Sequence, residues 1–466
     1  MIAPSSHSIR FQLVHTQQLL NASPRIFPKL FQIFITRNMS TAQLAYQPPS
    51  INNIEDVENY RKGGFHPVQL GDAFSHGRYR VLHKLGFGGS STVWLARDEL
   101  SQRLVSLKIL TAERSNACPE PEILRYLQNN PSHTLGREYI LPLHDCFHTE
   151  GPNGRHTCLV SLFAGPSLSQ LSESPGQPGG CRRLRGHASR QIAKQVGLAI
   201  EFLHSQGVVH GDLTASNILF QLADIKWSDQ DITKQFGPPV TESLRPLSAE
   251  QSVCAPEFLV APLQISDLDT RHFTGNIQLI DFGESFLSNS PPATGVRTPF
   301  SYLAPEGIFD AKASVWADLW ALGCIIYEIR AGTQLFASFF GGPDEVLRQI
   351  VQTFGKLPEP WWSAWTARQT YFNNNDGKPR DSWLNGIPLA VEYPLGQQVR
   401  DIGAEDGQVD LDSYSTHSWL EPLGTRLTEA EASELEDLLF KLLQFSPEKR
   451  LSAGQVVKHP WLQGVE

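Results

Sequence analysis

The order of local patterns along this sequence predicts an α+β chain of two lobes, a small β-rich lobe followed by a larger helical one. Three observations carry that expectation. Residues 78–110 alternate apolar and polar side chains on either side of a glycine-rich turn, as paired strands do. Residues 190–207, RQIAKQVGLAIEFLHSQG, bring Ile192, Val196, Ile200 and Leu203 back at helical spacing. Downstream, WADLWALGCIIYEIRAG and LEDLLFKLLQF read as further core helices. At 466 residues the chain is long enough to give each lobe a core.

Composition narrows the class. Hydrophobic content of 40% and charged content of 19% describe an ordinary globular protein. A net charge of −9 argues against a general nucleic-acid binder and suits a basic protein partner. The six cysteines (Cys118, Cys146, Cys158, Cys181, Cys254 and Cys324) form no CxxC pair, so neither a disulfide framework nor a zinc site is implied. No apolar run approaches about 18 residues, the length of a membrane-crossing helix. We expect a monomer with no nucleic acid or membrane among its partners.

Residues 1–58 read as a disordered leader. Up to Ile54 there is no Asp or Glu, while Arg10, Arg25, Lys29 and Arg37 are scattered among Ser, Thr and apolar residues. That composition matches a mitochondrial presequence; the alternative is an unused upstream start, with Met39 beginning the protein. The expected location is the cytoplasm or nucleus, or the mitochondrion if residues 1–38 act as a transit peptide.

The small lobe is expected over residues 59–164. Leu85, Gly86, Phe87, Gly88, Gly89, Ser90, Ser91 and Val93 form a hairpin whose small residues let backbone amides approach phosphates. An ordinary tight hairpin is the bland alternative. Lys108 ends the apolar strand LVSLKIL, and a lysine there is costly to bury unless paired. Glu122, at the head of EILRYL, is the first candidate partner and Glu120 the second. Strands on either side of Gly151-Pro152-Asn153-Gly154 lead to a connector, residues 161–165.

The large lobe is expected over residues 165–466. HGDLTASN, residues 210–217, places Asp212 and Asn217 on a loop between the long helix and the apolar triplet Ile218, Leu219 and Phe220. A loop between buried elements is where a scaffold presents chemistry, although Asp and Asn also favour plain turns. Residues 221–273 look like a spacer insert. Asp281-Phe282-Gly283 then follows an apolar strand and offers a carboxylate of the kind Mg2+ takes beside phosphates. Ala304-Pro305-Glu306, Asp318 and Arg450 follow in turn, and residues 373–426 read as a surface-loop insert.

Taken in order, these motifs resemble the protein kinases over residues 60–465. YRKGGFHPVQLGD, KLGFGGSSTVWLARD and GPNGRHTCLV narrow the resemblance to the SR-protein kinase family, especially its short fungal-type relatives. The resemblance implies a protein-kinase-like bilobal fold and the transfer of phosphate from ATP to serine or threonine of a basic, Arg-Ser-rich protein. It also implies ATP beneath residues 85–91 and Val93, held by Lys108 and its glutamate. Asn217 and Asp281 would hold Mg2+, and Asp212 would orient the substrate hydroxyl and accept its proton. Ser161 would guard the back of the adenine pocket, Asp318 would brace the catalytic loop, and Arg450 would pair with Glu306. Three departures from the kinase pattern stand out. Gly211 replaces an arginine (the SR-protein kinases lack it too), Thr214 replaces the catalytic-loop lysine, and Thr298 lies one residue further from Tyr302 than usual. Thr214 keeps a second reading open, a pseudokinase that binds nucleotide or acts as a scaffold.

Overall fold

In the computed structural model the glycine-rich hairpin lies inside a six-stranded antiparallel sheet. Residues 44–130, 134–172, 183–247, 253–338, 341–384, 387–404, 419–422 and 424–464 are described. The strands are β1 (Ala73–Phe74), β2 (Tyr79–Phe87), β3 (Ser91–Asp98), β4 (Arg103–Leu110), β5 (Asp145–Gly151) and β6 (Gly154–Leu162), in the spatial order β1-β2-β3-β4-β6-β5. Helix α1 (Glu120–Asn129) packs Ile123, Leu124 and Leu127 inward and completes the small lobe.

Strand β3 is buried on both faces, which its alternating side chains explain. Trp94 and Ala96 join Val81, Val105 and Leu107 on one side of the sheet, while Leu95 joins Leu104 on the other. That second side is covered by the segment expected to be a spacer. Within it, helix α4 (Asp229–Phe236) and the loop after it contribute Ile232, Leu263 and Ile265 to the cluster around Leu95. Asp229 also holds Arg80 at 2.9 Å and Arg97 at 2.7 Å. So the described part of residues 221–273 is an ordered roof on the small lobe, although it is threaded through the large one. Ala255-Pro256-Glu257 lies in this roof, just ahead of strand β10 (Phe258–Val260), which pairs with β9 (Thr241–Ser243), and comes before Asp281 in sequence.

The leader also needs correction. Residues 44–58, expected to be disordered, are packed: Tyr46, Val57, Tyr60 and Phe65 form a cluster with Leu244 and Leu259 of the insert. The Tyr46 hydroxyl donates to the Tyr60 carbonyl at 2.8 Å. Glu55 is buried against Lys84 of β2, and the Lys84 ammonium lies 5.3 Å from the Trp94 ring centre. Polar spacing hid this strap, because its apolar anchors are too far apart to read as an element. The presequence question falls on residues 1–43 and lies outside the described residues.

The large lobe is built on α2 (Leu168–Ser172) and α3 (Gly186–Ser205). The latter is the predicted long helix, with Ile192, Val196, Ile200 and Leu203 all fully buried. Around it stand α5 (Val315–Ala331), α6 (Pro343–Phe354), α7 (Leu395–Asp401) and α8 (Glu429–Leu442). Helix α7 corrects the surface loop expected over residues 373–426. Leu395, Val399 and Ile402 recur at helical spacing and are buried in the core that also takes Leu435 and Leu438. Residues 405–418 of that region lie outside the described residues. Two short antiparallel pairings frame the site, β7 (Val208–Val209) with β12 (Phe286–Leu287) and β8 (Ile218–Leu222) with β11 (Phe273–Leu279).

Candidate active site

The catalytic loop lies between β7 and β8, and its backbone is tied to a buried carboxylate. Asp318, near the start of α5, accepts from His210 N at 2.8 Å, from Gly211 N at 3.0 Å and from the His204 ring at 3.0 Å. These donors hold its carboxyl below the usual range against the opposing effect of burial. The bracing role anticipated for Asp318 is the one its contacts describe. Gly211 has φ +75°, and a Cβ there would come within 2.5 Å of the Glu284 carbonyl. Glycine is therefore required at this point, since the loop and the segment after Asp281 touch backbone to backbone.

Asn217 fixes the loop from its other end. Its Nδ2 donates to the Asp212 carbonyl at 2.9 Å and to Asp212 Oδ2 at 3.3 Å. That assignment leaves Asn217 Oδ1 turned away from Asp212. Asp212 Oδ1 is buried without a hydrogen-bond partner among the described residues. Burial, then the neighbouring Asp281 charge, pushes the Asp212 carboxyl up to about 7. A carboxyl poised near neutrality and lacking a partner on one oxygen is suited to take a proton.

Asp281 ends the loop after β11 in a left-handed conformation, φ 63°. Such a backbone is strained for a non-glycine residue and is retained where the surroundings over-determine it. Here Lys108 Nζ donates to Asp281 Oδ1 at 2.7 Å and Gly283 N to the same oxygen at 3.3 Å. Lys108, on β4, also donates to Glu120 Oε2 at 2.6 Å. The two carboxylates hold the ammonium charged well above its ordinary range, against burial. The other Glu120 oxygen accepts from Phe282 N at 3.2 Å, so this glutamate links helix α1 to the Asp281 turn.

The partner of Lys108 is therefore Glu120, and Glu122 is the residue to correct. Helix α1 buries Glu120, Ile123, Leu124 and Leu127, one continuous stripe, while Glu122 faces solvent. The same apolar spacing was present in the sequence and selects Glu120. Ser161 stands half-buried on β6 opposite Ser106.

Above these groups is the glycine-rich turn. Gly86 pairs with Val93 and Phe87 with Thr92, Gly88 N donates to Ser91 O at 2.8 Å, and Ser90 O accepts from Thr111 N at 2.8 Å. Leu85 continues β2 and Gly89 lies in the turn itself. Ser90, Lys108, Asp212 and Asp281 line a single polar cavity of about 120 Å³. So the turn, the lysine and two carboxylates anticipated from distant parts of the sequence meet at one point. Asn217 is hydrogen-bonded to the same catalytic loop.

A hard divalent cation suits the oxygens that remain. Asp281 Oδ2 and Asn217 Oδ1 have no hydrogen-bond partner among the described residues. One carboxylate and one amide oxygen, completed by phosphate and water, are the sparse protein set that Mg2+ accepts. Behind them, Glu306 and Arg450 form the anticipated bidentate pair, with Nη2–Oε2 at 2.8 Å and both side chains buried.

A small antiparallel sheet with a glycine-rich turn, closing on a helical lobe that carries a braced Asp/Asn loop, defines a bilobal phosphotransferase. Comparison with known proteins agrees. A family model described as the protein kinase domain matches residues 79–271 and 267–462. The chain is 26% identical over 425 residues to the serine/threonine-protein kinase SRPK of Physarum polycephalum, covering 88% of this chain and 92% of that one. It is 26% identical over 501 residues to protein kinase dsk1 of Schizosaccharomyces pombe, covering 88% and 85% of the two chains. SRSF protein kinase 3 of Homo sapiens is 35% identical over 177 residues, 36% of this chain and 30% of that one. The chain belongs to the protein kinase family, and within it is an SR-protein-kinase-like serine/threonine kinase.

Proposed function

We propose that the chain transfers the γ-phosphate of Mg-ATP to serine, or threonine, in a basic, Arg-Ser-rich protein. The observation that carries this is the convergence of Lys108, Asp212, Asn217 and Asp281, joined by hydrogen bonds or a shared cavity. Lys108 would meet the α- and β-phosphates, and Asp212 would align the hydroxyl and take its proton. Mg2+ on Asp281 and Asn217 would offset phosphate charge. A Cβ added at Gly86 or Gly88 meets no protein atom within 4 Å. The chain's own packing therefore does not call for glycine at either place, whereas close approach of a phosphate does. The net charge of −9 and the names of the relatives support a basic substrate.

The competing reading, a nucleotide-binding scaffold, is favoured by Thr214, which is buried and uncharged where kinases place a lysine. Incubation with Mg-ATP and an Arg-Ser peptide library separates the two. Phosphate transfer by the wild type, absent from Asp212→Ala, is the result expected. Nucleotide binding without transfer to any protein substrate would overturn the proposal.

A further inference from the structure

Resting on the kinase reading above, we propose that Arg114 donates to the transferring phosphoryl group and so supplies the positive charge that residue 214 lacks. Arg114 lies in a single helical turn, Ala112–Ser115, just after β4. The Thr111 hydroxyl caps that turn by accepting from Arg114 N at 3.3 Å. Ser115 Oγ accepts from Thr157 N at 2.8 Å, which fixes the turn to β6. From this anchored position the Arg114 side chain crosses to the segment after Asp281. Its Nη2 donates to the Gly283 carbonyl and, at 2.7 Å, to Glu284 Oε1.

The guanidinium is held by one nitrogen and leaves the rest of its fork available. Nε and Nη1 make no hydrogen bond among the described residues, and the side chain is 21% exposed. Arg114 lines the same cavity as Ser90, Lys108, Asp212, Asp281 and Glu284. Among the described residues of that lining the cations are Lys108 and Arg114, and Lys108, paired with Glu120 and Asp281, is the one assigned to the α- and β-phosphates. Arg297 approaches Glu284 at 3.8 Å but is 72% exposed and outside the lining. Arg114 is thus the cation with unused donors on the cavity that holds the catalytic carboxylate.

In the transfer, the substrate oxygen forms its bond to the γ-phosphorus while the bond to the β,γ-bridging oxygen breaks. The electron pair of that bond leaves with ADP, and the hydroxyl proton goes to Asp212. Charge shifts over the non-bridging oxygens, and a planar fork with two free nitrogens, Nε and Nη1, matches them. A cation placed there contributes to the transition state more than to nucleotide binding.

The test measures kcat and nucleotide affinity separately. Arg114→Ala is expected to lower kcat by about 10²–10³-fold with nearly unchanged affinity for a fluorescent ATP analogue. Arg114→Ala/Thr214→Lys, which returns a cation from the catalytic loop two residues after Asp212, is expected to recover at least about tenfold. A single variant with near-wild-type kcat, or a double variant that recovers nothing, overturns the proposal. If Arg114 only pinned the turn, Glu284→Gln would match the alanine variant and lysine at 214 would not help. Should Arg114→Ala melt below the assay temperature, Arg114→Lys must exceed Arg114→Met in kcat by about tenfold, and equal rates overturn the proposal. A wild-type chain that binds ATP and transfers nothing sinks the kinase reading itself, an outcome distinct from the others.

Discussion

Glu120 and Glu122 differ by a rotation of about 200° on an α-helix, enough to send one to Lys108 and the other to water. Replacing Glu120 with alanine removes a partner of the buried ammonium and the acceptor for Phe282 N. We expect Glu120→Ala to lower kcat/KM at least about 100-fold, whereas Glu122→Ala stays within about threefold. Steady-state kinetics on the same peptide decides this. Asp212 gives a second prediction. With its carboxyl pushed up to about 7, the base is increasingly protonated below that pH. The kcat/KM profile should therefore fall on the acid side of neutrality. Raising Mg2+ should move the inflection to lower pH by offsetting the Asp281 charge that helps hold the proton. The stability consequence has the opposite sign. Asp212 binds its proton more tightly folded than unfolded, so its penalty is absent below the unfolded value of 3.8 and complete above about 7. Asp212→Asn should accordingly melt higher than wild type at alkaline pH, with the difference fading toward pH values near 4.

At the scale of elements, the strap over residues 44–60 and strand β2 share one buried ion pair. Lys84 is fully buried, and Glu55 also accepts from the Tyr60 hydroxyl. Removing one partner leaves the other charge stranded, which costs about 3–5 kcal/mol in comparable pairs. Glu55→Ala should show that loss in denaturant melts. The double variant Glu55→Leu/Lys84→Met should regain most of it, because no charge then remains to be solvated. Since β2 leads directly into the glycine-rich turn, loosening the strap should also weaken ATP affinity. Helix α7 teaches a related point. Its buried residues were readable as a helical stripe, but the polar sequence around them drew the whole region into a loop.

For the molecule as a whole, the insert couples the lobes. It leaves the large lobe at β8, roofs the small lobe through Ile232, Leu263 and Asp229, and returns at β11. Its two ends are adjacent, since Ala223 N donates to the His272 carbonyl at 2.9 Å. A short glycine-serine turn can therefore replace residues 224–271 without disturbing the β8–β11 pairing. Excision exposes Leu95 and Leu104, each worth about 1.5–3 kcal/mol of burial. Hydrogen exchange should then accelerate in β2, β3 and β4 and stay unchanged in α3 and α5. Equal acceleration in both lobes would show that the roof also supports the helical core.

Much of the site was legible because kinase chemistry uses short motifs whose neighbours are local. The glycine-rich hairpin, HGDLTASN and Asp281-Phe282-Gly283 stand where their patterns indicate. The Glu306–Arg450 pair, 144 residues apart, followed instead from the family resemblance. The bracing contact of Asp318 followed from the same resemblance. Arg114 was not singled out, because nothing local marks an arginine whose contacts come from Gly283 and Glu284. The strap and roof were missed for the same physical reason. Their anchors are single apolar or charged side chains, separated by polar stretches and matched only to surfaces formed elsewhere in the chain. Periodicity and spacing, which are properties of neighbouring residues, specified the two lobes, most of their strands and helices, and the reacting groups apart from the glutamate that pairs with Lys108. Which surfaces the connecting segments cover, and that Arg114 shares a cavity with the catalytic carboxylate, follow only from the folded chain, because both depend on contacts between residues far apart in sequence.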